Sequence, residues 1–332
     1  MMRRVFWFIL AGIWSAFAGV AASAQNAAVA NGFPRQAIQI VVPFPPGGNT
    51  DLITRILAEH LQDALHASVL VINRPGAGTN IAAAFVAASR PDGYTMLVSS
   101  PATFLVNQLI YSNLPYDPDT AFTPVSLVAE FPNVLVVAPS LGVTSIRQLI
   151  DRARAEPGKL SYASSGAGTT SHLADALFAQ MARVDMLHVP YKGPLQSAQD
   201  IIGGRVSMMI DNLGPLYPLI RSGQLLALGV STREPVALLP DVPPIGSVLD
   251  GYAQNSWNML VLPAATPRDI VGRVSAECDR ILHLPGVMER FASFGSRPVG
   301  GTPEHLTAFL ETERERWQAA VKAAQLTKGQ FD

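Results

Sequence analysis

Two glycine-rich turns carry the polar groups of this sequence that are best suited to binding chemistry. The first has the sequence FPPGGNTD at residues 44–51, and the second has the sequence SSGAGTTSH at residues 164–172. Glycine lets backbone N–H groups converge, and the N-terminus of a following helix adds a partial positive charge. Each turn is therefore a candidate anion-binding site, although either could equally be a short strand-to-helix connection. Together they could hold a carboxylate with backbone N–H groups and hydroxyls.

The elements around these turns alternate between strands and helices. The apolar run Ile38–Pro43 is typical of a strand buried on both faces, and an amphipathic helix follows from Leu52. The same patterns predict strands at 68–73, 95–99, 134–138, 160–163, 186–189, 206–210 and 225–230. They predict helices at 145–155, 172–182, 195–202 and 216–221, and a helical region over 267–324. This order indicates an α/β fold with mostly parallel sheets, in which both turns lie at the carboxyl ends of strands, where ligands bind.

Motifs for catalysis, cofactors and metals are missing from the sequence. A dinucleotide loop needs a third glycine, but Ile81 follows Gly76-x-Gly78 at that position. The sequence has no phosphate-binding loop and no G-x-S-x-G nucleophile motif, and its six histidines lack metal-ligand spacing. His172 begins a helix, so hydrogen bonding or capping is expected of it rather than acid–base chemistry. We predict no catalytic residue, no metal site and no cofactor.

Composition and the N-terminus restrict the function further. The 332 residues are only 15% charged, with a net charge of −1, so no basic surface for nucleic acid is expected. Cys278 is the only cysteine, which excludes an intramolecular disulfide. Arg3 and Arg4, an apolar stretch and the series Ala22-Ser23-Ala24 predict a signal peptide cleaved after Ala24 and export to a bacterial periplasm. The alternative is an uncleaved membrane anchor.

A series of short motifs resembles one known family. These are PFPPGG at 43–48, NRPGAG at 73–78, PDGYT at 91–95, LPYDP at 114–118, PGKL at 157–160, HVPYKG at 188–193 and LPDVP at 239–243. In this order they resemble the substrate-binding proteins of tripartite tricarboxylate transporters, also called the Bug family. The resemblance runs from about Phe33 to Val321. Thr79 stands where that family usually has glycine, which leaves the ligand preference open.

The resemblance implies a periplasmic-binding-protein type II fold, with two α/β lobes around a ligand cleft. We expect lobe 1 to comprise residues 25–127 and 236–332, and lobe 2 residues 128–235. It also implies a receptor, expected to be a monomer, that captures a small organic acid and delivers it to membrane permease subunits. The acid could be a di- or tricarboxylate, an aromatic carboxylate or an amino acid. A sensing receptor that signals to a membrane kinase is one alternative, and an enzyme on the same scaffold is another.

The family's ligand loops match specific positions in this sequence. Matched onto the two turns and the strands beside them, they imply a ligand site formed by Phe44, Gly47, Gly48, Asn49, Asp51, Ser100, Thr103, Ser165, Gly166, Gly168, Thr169, Thr170, His172 and Asp211. The resemblance implies that backbone groups, hydroxyls and bridging waters hold the carboxylate, without an arginine. For Asp51 and Asp211, helix capping remains an equal alternative to ligand contact.

Overall fold

The computed structural model describes residues 32–331, so the predicted signal peptide lies outside the described residues. In chain order the strands are β1 (Ile38–Val42), β2 (Val69–Asn73), β3 (Thr95–Ser99), β4 (Phe122–Phe131), β5 (Asn133–Val137), β6 (Ser161–Ser164), β7 (Leu187–Pro190), β8 (Met208–Asn212), β9 (Leu226–Val230), β10 (Ser256–Pro263) and β11 (Arg297–Gly300). The helices are α1 (Asn49–Leu65), α2 (Asn80–Ala87), α3 (Asn107–Ile110), α4 (Ile146–Ala155), α5 (Thr170–Ala182), α6 (Pro194–Ile202), α7 (Leu213–Arg221), α8 (Arg268–Leu282), α9 (Pro285–Ala292) and α10 (Pro303–Ala323). A π-helical segment, Ala102–Val106, leads into α3.

The strands form two sheets, and each sheet with its covering helices is one lobe. The sheet of lobe 1 has the order β11-β4-β10-β3-β1-β2, and that of lobe 2 has the order β7-β6-β8-β5-β9. Strand β1 is parallel to β2 and β3, and β6 is parallel to β7 and β8. The other pairs are antiparallel, so both sheets are mixed. The predicted α/β fold with two lobes is confirmed. The prediction of mostly parallel sheets is wrong, because four of the described strand pairs are parallel and five are antiparallel.

Three strands of lobe 1 were not predicted from the sequence. Strands β4 and β10 pair with each other along their length, with irregular register near Met259 and Val261. Pro124 lies within β4, and proline inside a run argues against a strand, which is why periodicity missed it. The third is the short strand β11, which pairs with β4 and interrupts the region predicted to be helical over 267–324.

Apolar faces hold the helices against the sheets. In α1, Ile53, Leu57 and Leu61 are fully buried against Ile40 and Met96 of the sheet beneath. Within the core, burying one such side chain stabilises the fold by about 1.5–3 kcal/mol. This packing fixes the axis of α1, and therefore the direction in which its N-terminus points.

The chain changes sheets twice. It passes from β4 to β5 at Pro132, and it returns between Val230 and Ser256. The segment between β9 and β10 packs on lobe 2, where Ile245 and Tyr252 share a core with that sheet. This packing favours lobe boundaries near 132 and 254, and the boundaries drawn from the sequence at 127/128 and 235/236 stay predictions. No helix in residues 32–331 is both long and apolar enough to cross a membrane.

Candidate functional site

A small cavity between the lobes is lined by both glycine-rich turns. Its volume is about 20 Å³, enough for about one water molecule. The side chains and backbone around it come from the N-termini of α1 and α5, the ends of β3, β4 and β8, and the starts of α6 and β10. The lining residues are Phe44, Gly48, Asn49, Thr50, Ser100, Phe131, Ser165, Thr169, Thr170, Ser171, Pro194, Asp211, Asn212 and Ser256.

The first turn presents the start of α1 to this cavity. Gly48 is the N-cap residue, with extended backbone angles (φ −72°, ψ 163°) that any residue can adopt. A Cβ added there would meet only the carbonyl oxygen of Pro45, at 3.5 Å. The first N–H groups of a helix have no partner within that helix, so those of Asn49 and Thr50 can bind an anion. Asn49 Oδ1 is buried and has no hydrogen-bond partner in the described structure.

Asp51 and Gly47 lie behind this surface and hold the turn in shape. Asp51 accepts hydrogen bonds from Gly47 N (2.9 Å), Arg55 Nε (2.9 Å) and Asn73 Nδ2 (2.8 Å). Although burial raises the pKa of Asp51, the hydrogen bonds from these three partners and the charge of Arg55 bring it below its ordinary value. Gly47 has a φ of +82°, a conformation that favours glycine. Neither residue lines the cavity, and the geometry favours the capping alternative for Asp51.

The second turn is held by its own hydroxyls. Ser165 N donates to Ser171 Oγ at 2.9 Å, and the Thr169 hydroxyl donates to the Gly166 carbonyl at 2.7 Å. Thr169 also caps α5, because its Oγ1 accepts from His172 N at 3.5 Å. The first N–H groups of α5, on Thr170 and Ser171, have no partner within the helix and lie at the end of α5 that lines the cavity.

Three predicted residues of the second turn do not line the cavity. Gly166 and Gly168 have φ values of +129° and +77°, and Gly168 N donates to His172 Nδ1 at 3.2 Å. The His172 ring stacks on that of His188, with centroids 3.9 Å apart. Burial, with a smaller effect of His188, lowers the pKa of His172 to about 3. The ring is therefore neutral, and it supports the loop as a hydrogen-bond acceptor.

Gly168 lies against the other lobe. A Cβ added there would be 2.5 Å from Ile110 Cδ1 and 3.1 Å from Asn107 Oδ1. Gly78 of lobe 1 lies equally close to lobe 2, since a Cβ added there would be 2.6 Å from the Ala167 carbonyl oxygen. The absence of side chains at these two glycines lets the lobes come together.

Ser100 reaches the cavity and Thr103 does not. The Ser100 hydroxyl is buried and has no partner among the described residues. The Thr103 hydroxyl instead donates to Thr79 Oγ1 at 2.8 Å, and Asn107 Nδ2 donates to the same oxygen at 3.3 Å. Thr79, which departs from the family's usual glycine, has a φ of +87°. Its hydroxyl joins a buried network directly behind Ser100.

Among the described residues that line the cavity, Asp211 has the one ionisable side chain. This lining contains no lysine, arginine or histidine. Its Oδ2 accepts from the Ser165 hydroxyl at 2.6 Å, and its Oδ1 accepts from Asn212 N at 2.7 Å. Burial raises the pKa of Asp211 to about 6, even though hydrogen bonds from Ser165, Asn212 and Ser171 lower it. The lining can therefore interact with a ligand through helix dipoles and hydroxyls rather than through a cationic side chain.

Six lining residues were missed by sequence reasoning. Thr50 and Ser171 lie within the two turns already singled out, and Asn212 follows Asp211 directly. Phe131 and Ser256 flank the cavity on β4 and β10, two of the strands that periodicity did not reveal. The last of the six is Pro194, at the start of α6. The turn sequences could have indicated the first two, whereas the residues on β4 and β10 needed the tertiary fold.

Comparison with known proteins identifies the family. The sequence profile of the tripartite tricarboxylate transporter family receptor matches residues 53–326. The chain belongs to this family. As a family member it is a solute-binding receptor of a tripartite transporter, as the sequence motifs predicted, and the family is one of receptors rather than enzymes.

Relatives of known sequence cover nearly the whole receptor. A protein from the tcbD–tcbE intergenic region of Pseudomonas sp. (strain P51) is 39% identical over 97% of this chain and 95% of its own length. BugT of Bordetella pertussis is 35% identical over 94% of this chain and 95% of its own. The Bug resemblance predicted from the motifs is confirmed.

Solved structures share the fold of the receptor. R. palustris Rpa4515 with adipate is 36% identical, with a TM-score of 0.87, over 89% of this chain and 99% of its own. The periplasmic binding protein BugD is 30% identical, with a TM-score of 0.85, over 89% and 100%. MatC from Rhodopseudomonas palustris with bound malate is 29% identical, with a TM-score of 0.81, over 87% and 100%.

Proposed function

We propose that this receptor binds a small dicarboxylate between the N-termini of α1 and α5 and delivers it to a membrane permease. The observation that carries the proposal is the convergence of two helix N-termini on one buried cavity without a cationic side chain. Each helix end provides free N–H groups and about half a positive charge. One carboxylate group bridging the two ends would join the lobes.

The ligand class rests on the site and on the relatives together. Rpa4515 holds adipate and MatC holds malate, both of which are dicarboxylates. In this receptor, Ser100 Oγ, Asn49 Oδ1 and Asn212 Oδ1 are buried without partners in the described residues. Buried polar atoms are normally satisfied. The Ser100 hydroxyl can donate to a ligand carboxylate, whereas the two amide oxygens are acceptors and suit bridging waters or a hydroxyl group of the ligand.

Capture requires the lobes to separate, because about 20 Å³ is far below the volume of an ordinary ligand pocket. We propose that the receptor works in the periplasm as a monomer, after removal of residues 1–24, and that hinge segments near 125–130 and 231–241 permit the motion. Two lobes contacting one ligand shift the equilibrium toward the closed arrangement.

Calorimetric titration with adipate and malate tests this proposal. Citrate, benzoate and L-aspartate probe the neighbouring acid classes, and adipamide, the uncharged diamide of adipate, is the matched control. We expect micromolar affinity for a dicarboxylate, or about 8 kcal/mol of binding free energy, and none for adipamide. Binding of adipamide as tight as that of adipate, or no binding of any acid, would contradict the proposal.

Gly48→Ala tests the anion-binding turn without disturbing the fold. Gly48 lines the cavity and already has angles that alanine adopts, so an added methyl group crowds the turn where the carboxylate would approach without straining the backbone. Loss of one hydrogen bond to a charged group costs about 1.5–3 kcal/mol, which weakens affinity by about 10- to 150-fold. Gly286→Ala, an exposed glycine with open space around its Cβ position, is the matched control. Equal affinities of the two variants would exclude this turn from the site.

A further inference from the structure

Asp211 places a carboxyl group in a cavity that we propose to bind a carboxylate, and the two groups are of like charge. The side chain is 1% exposed and lines the cavity together with both helix N-termini. The described lining offers no cationic side chain to compensate a second negative charge. If ligand and Asp211 were both ionised, they would share the same two helix ends in a site of low dielectric constant.

A second carboxyl group lies behind the first. Asp175 of α5 is also 1% exposed, and its Oδ1 accepts from Ile210 N at 2.7 Å. Its Oδ2 is buried without a partner in the described structure. Burial, with a further contribution from Asp211, raises the pKa of Asp175 well above its ordinary value. The surroundings of Asp211 therefore already disfavour negative charge before any ligand arrives.

We propose that Asp211 binds the ligand as a neutral carboxylic acid, so that capture of an anionic ligand takes up one proton at Asp211. This inference rests on the proposed function, since it requires a carboxylate in the cavity. The O–H group of the neutral acid donates a hydrogen bond either to the ligand carboxylate or to the Ser165 hydroxyl. In the second case the Ser165 hydroxyl donates its own hydrogen bond to the ligand. Charge repulsion is replaced by a hydrogen bond.

Other groups near Asp211 do not take the proton. The elements packed against β8 carry the titratable side chains Tyr162, His172, Asp175 and Asp200. His188 lies on β7, one strand further, and Asp51 lies on the facing turn. Burial lowers the pKa values of the two histidines to about 3 and about 4, and it raises that of the tyrosine. Asp51 and Asp200 each pair with an arginine, and their pKa values are lowered. Asp175 is the remaining competitor, and it does not line the cavity.

The size of the effect follows from the fraction of receptor that is protonated. With a pKa of about 6, about one receptor in ten carries the proton at pH 7 and one in a hundred at pH 8. Affinity scales with the competent fraction, so Kd rises about tenfold between these pH values. Aliphatic carboxylates are fully ionised throughout this range, so their own titration does not contribute.

Calorimetry of the wild-type receptor with adipate and malate, in phosphate and in Tris at pH 7.5, measures the proton directly. We expect uptake of nearly one proton per ligand, from the difference in apparent enthalpy between buffers. Tight binding without proton uptake would overturn the inference and leave the proposed function intact. If neither these acids nor citrate, benzoate and L-aspartate bind at any pH, the proposed function fails and this inference fails with it.

Asp211→Asn is the variant that imitates the neutral acid. Its amide keeps an acceptor for Asn212 N and has a donor in place of the O–H group. We expect a Kd that changes less than threefold from pH 7 to pH 8, and tighter binding than wild type at pH 8. Loss of binding at both pH values, with an unchanged circular dichroism spectrum, would show that an ionised Asp211 is needed and would overturn the inference.

Asp175→Asn is the matched control, because it removes the neighbouring carboxyl group behind the cavity. We expect this variant to keep the tenfold dependence of Kd on pH. A flat profile in Asp175→Asn, together with a retained slope in Asp211→Asn, would assign the proton to Asp175 and refute its assignment to Asp211.

Discussion

Glu313 joins the two tryptophans of lobe 1, and replacing it should destabilise the receptor strongly. Its side chain is buried in α10, where Oε2 accepts from Trp257 Nε1 at 2.6 Å and from Trp317 Nε1 at 2.9 Å. Trp257 lies on β10, directly after the cavity residue Ser256. Glu313 therefore attaches β10, which flanks the site, to α10.

Glu313→Leu leaves two buried indole N–H groups without an acceptor. Each such group costs about 1–3 kcal/mol, so the free energy of unfolding should fall by about 2–6 kcal/mol. Glu313→Gln retains an acceptor oxygen and should cost about 1 kcal/mol. The larger loss is a substantial part of the roughly 5–15 kcal/mol that stabilises an ordinary protein.

Urea denaturation followed by tryptophan emission measures both losses. With a slope of about 3 kcal/mol per molar urea, Glu313→Leu should lower the midpoint by about 0.7–2 M. Glu315→Gln, an exposed neighbour on the same helix, is the control and should leave the midpoint unchanged. If Glu313→Leu unfolds at the wild-type midpoint, the two indole bonds contribute nothing and the stated cost of buried unpaired donors does not apply here.

Three further outcomes are expected. Gly78→Ala should weaken adipate binding about 5- to 150-fold relative to the control Gly142→Ala. Both glycines have positive φ, but only a Cβ at position 78 would lie 2.6 Å from the Ala167 carbonyl oxygen of the other lobe, and such overpacking costs about 1–3 kcal/mol. Equal Kd values of the two variants would show that the bound state does not use this contact. Saturating ligand should reduce the radius of gyration in small-angle scattering, and an unchanged radius, with binding confirmed independently, would contradict closure of the lobes. The emission of Trp257 should stay nearly constant, since its ring is buried in lobe 1, and a large emission change would contradict this. N-terminal sequencing of the exported receptor should begin at Gln25, and recovery of the full chain from membranes would refute cleavage.

Local sequence determined the two glycine-rich turns and most of the elements beside them. Glycines followed by polar N-terminal helix residues are a local signal, because unpaired N–H groups and left-handed backbone angles depend only on neighbouring residues. Within these turns, the family resemblance implied Gly48, Asn49, Ser165, Thr169 and Thr170 as site residues, and they line one cavity. The order of the short motifs along the chain was likewise sufficient to indicate the family.

Tertiary structure decided which polar residues face the cavity and which support it. Asp51 and His172 lie in the two turns, and by residue type either could contact a ligand. Asp51 instead accepts from Asn73 Nδ2 on β2, and His172 accepts from Gly168 N within its own turn. Phe131 and Ser256 reach the site because β4 ends and β10 begins next to the points where the chain passes between the lobes. These two residues pair with each other although they are about 125 residues apart, and such a pairing gives no local periodic signal. The raised pKa of Asp211 likewise arises from burial, which only the packed fold provides.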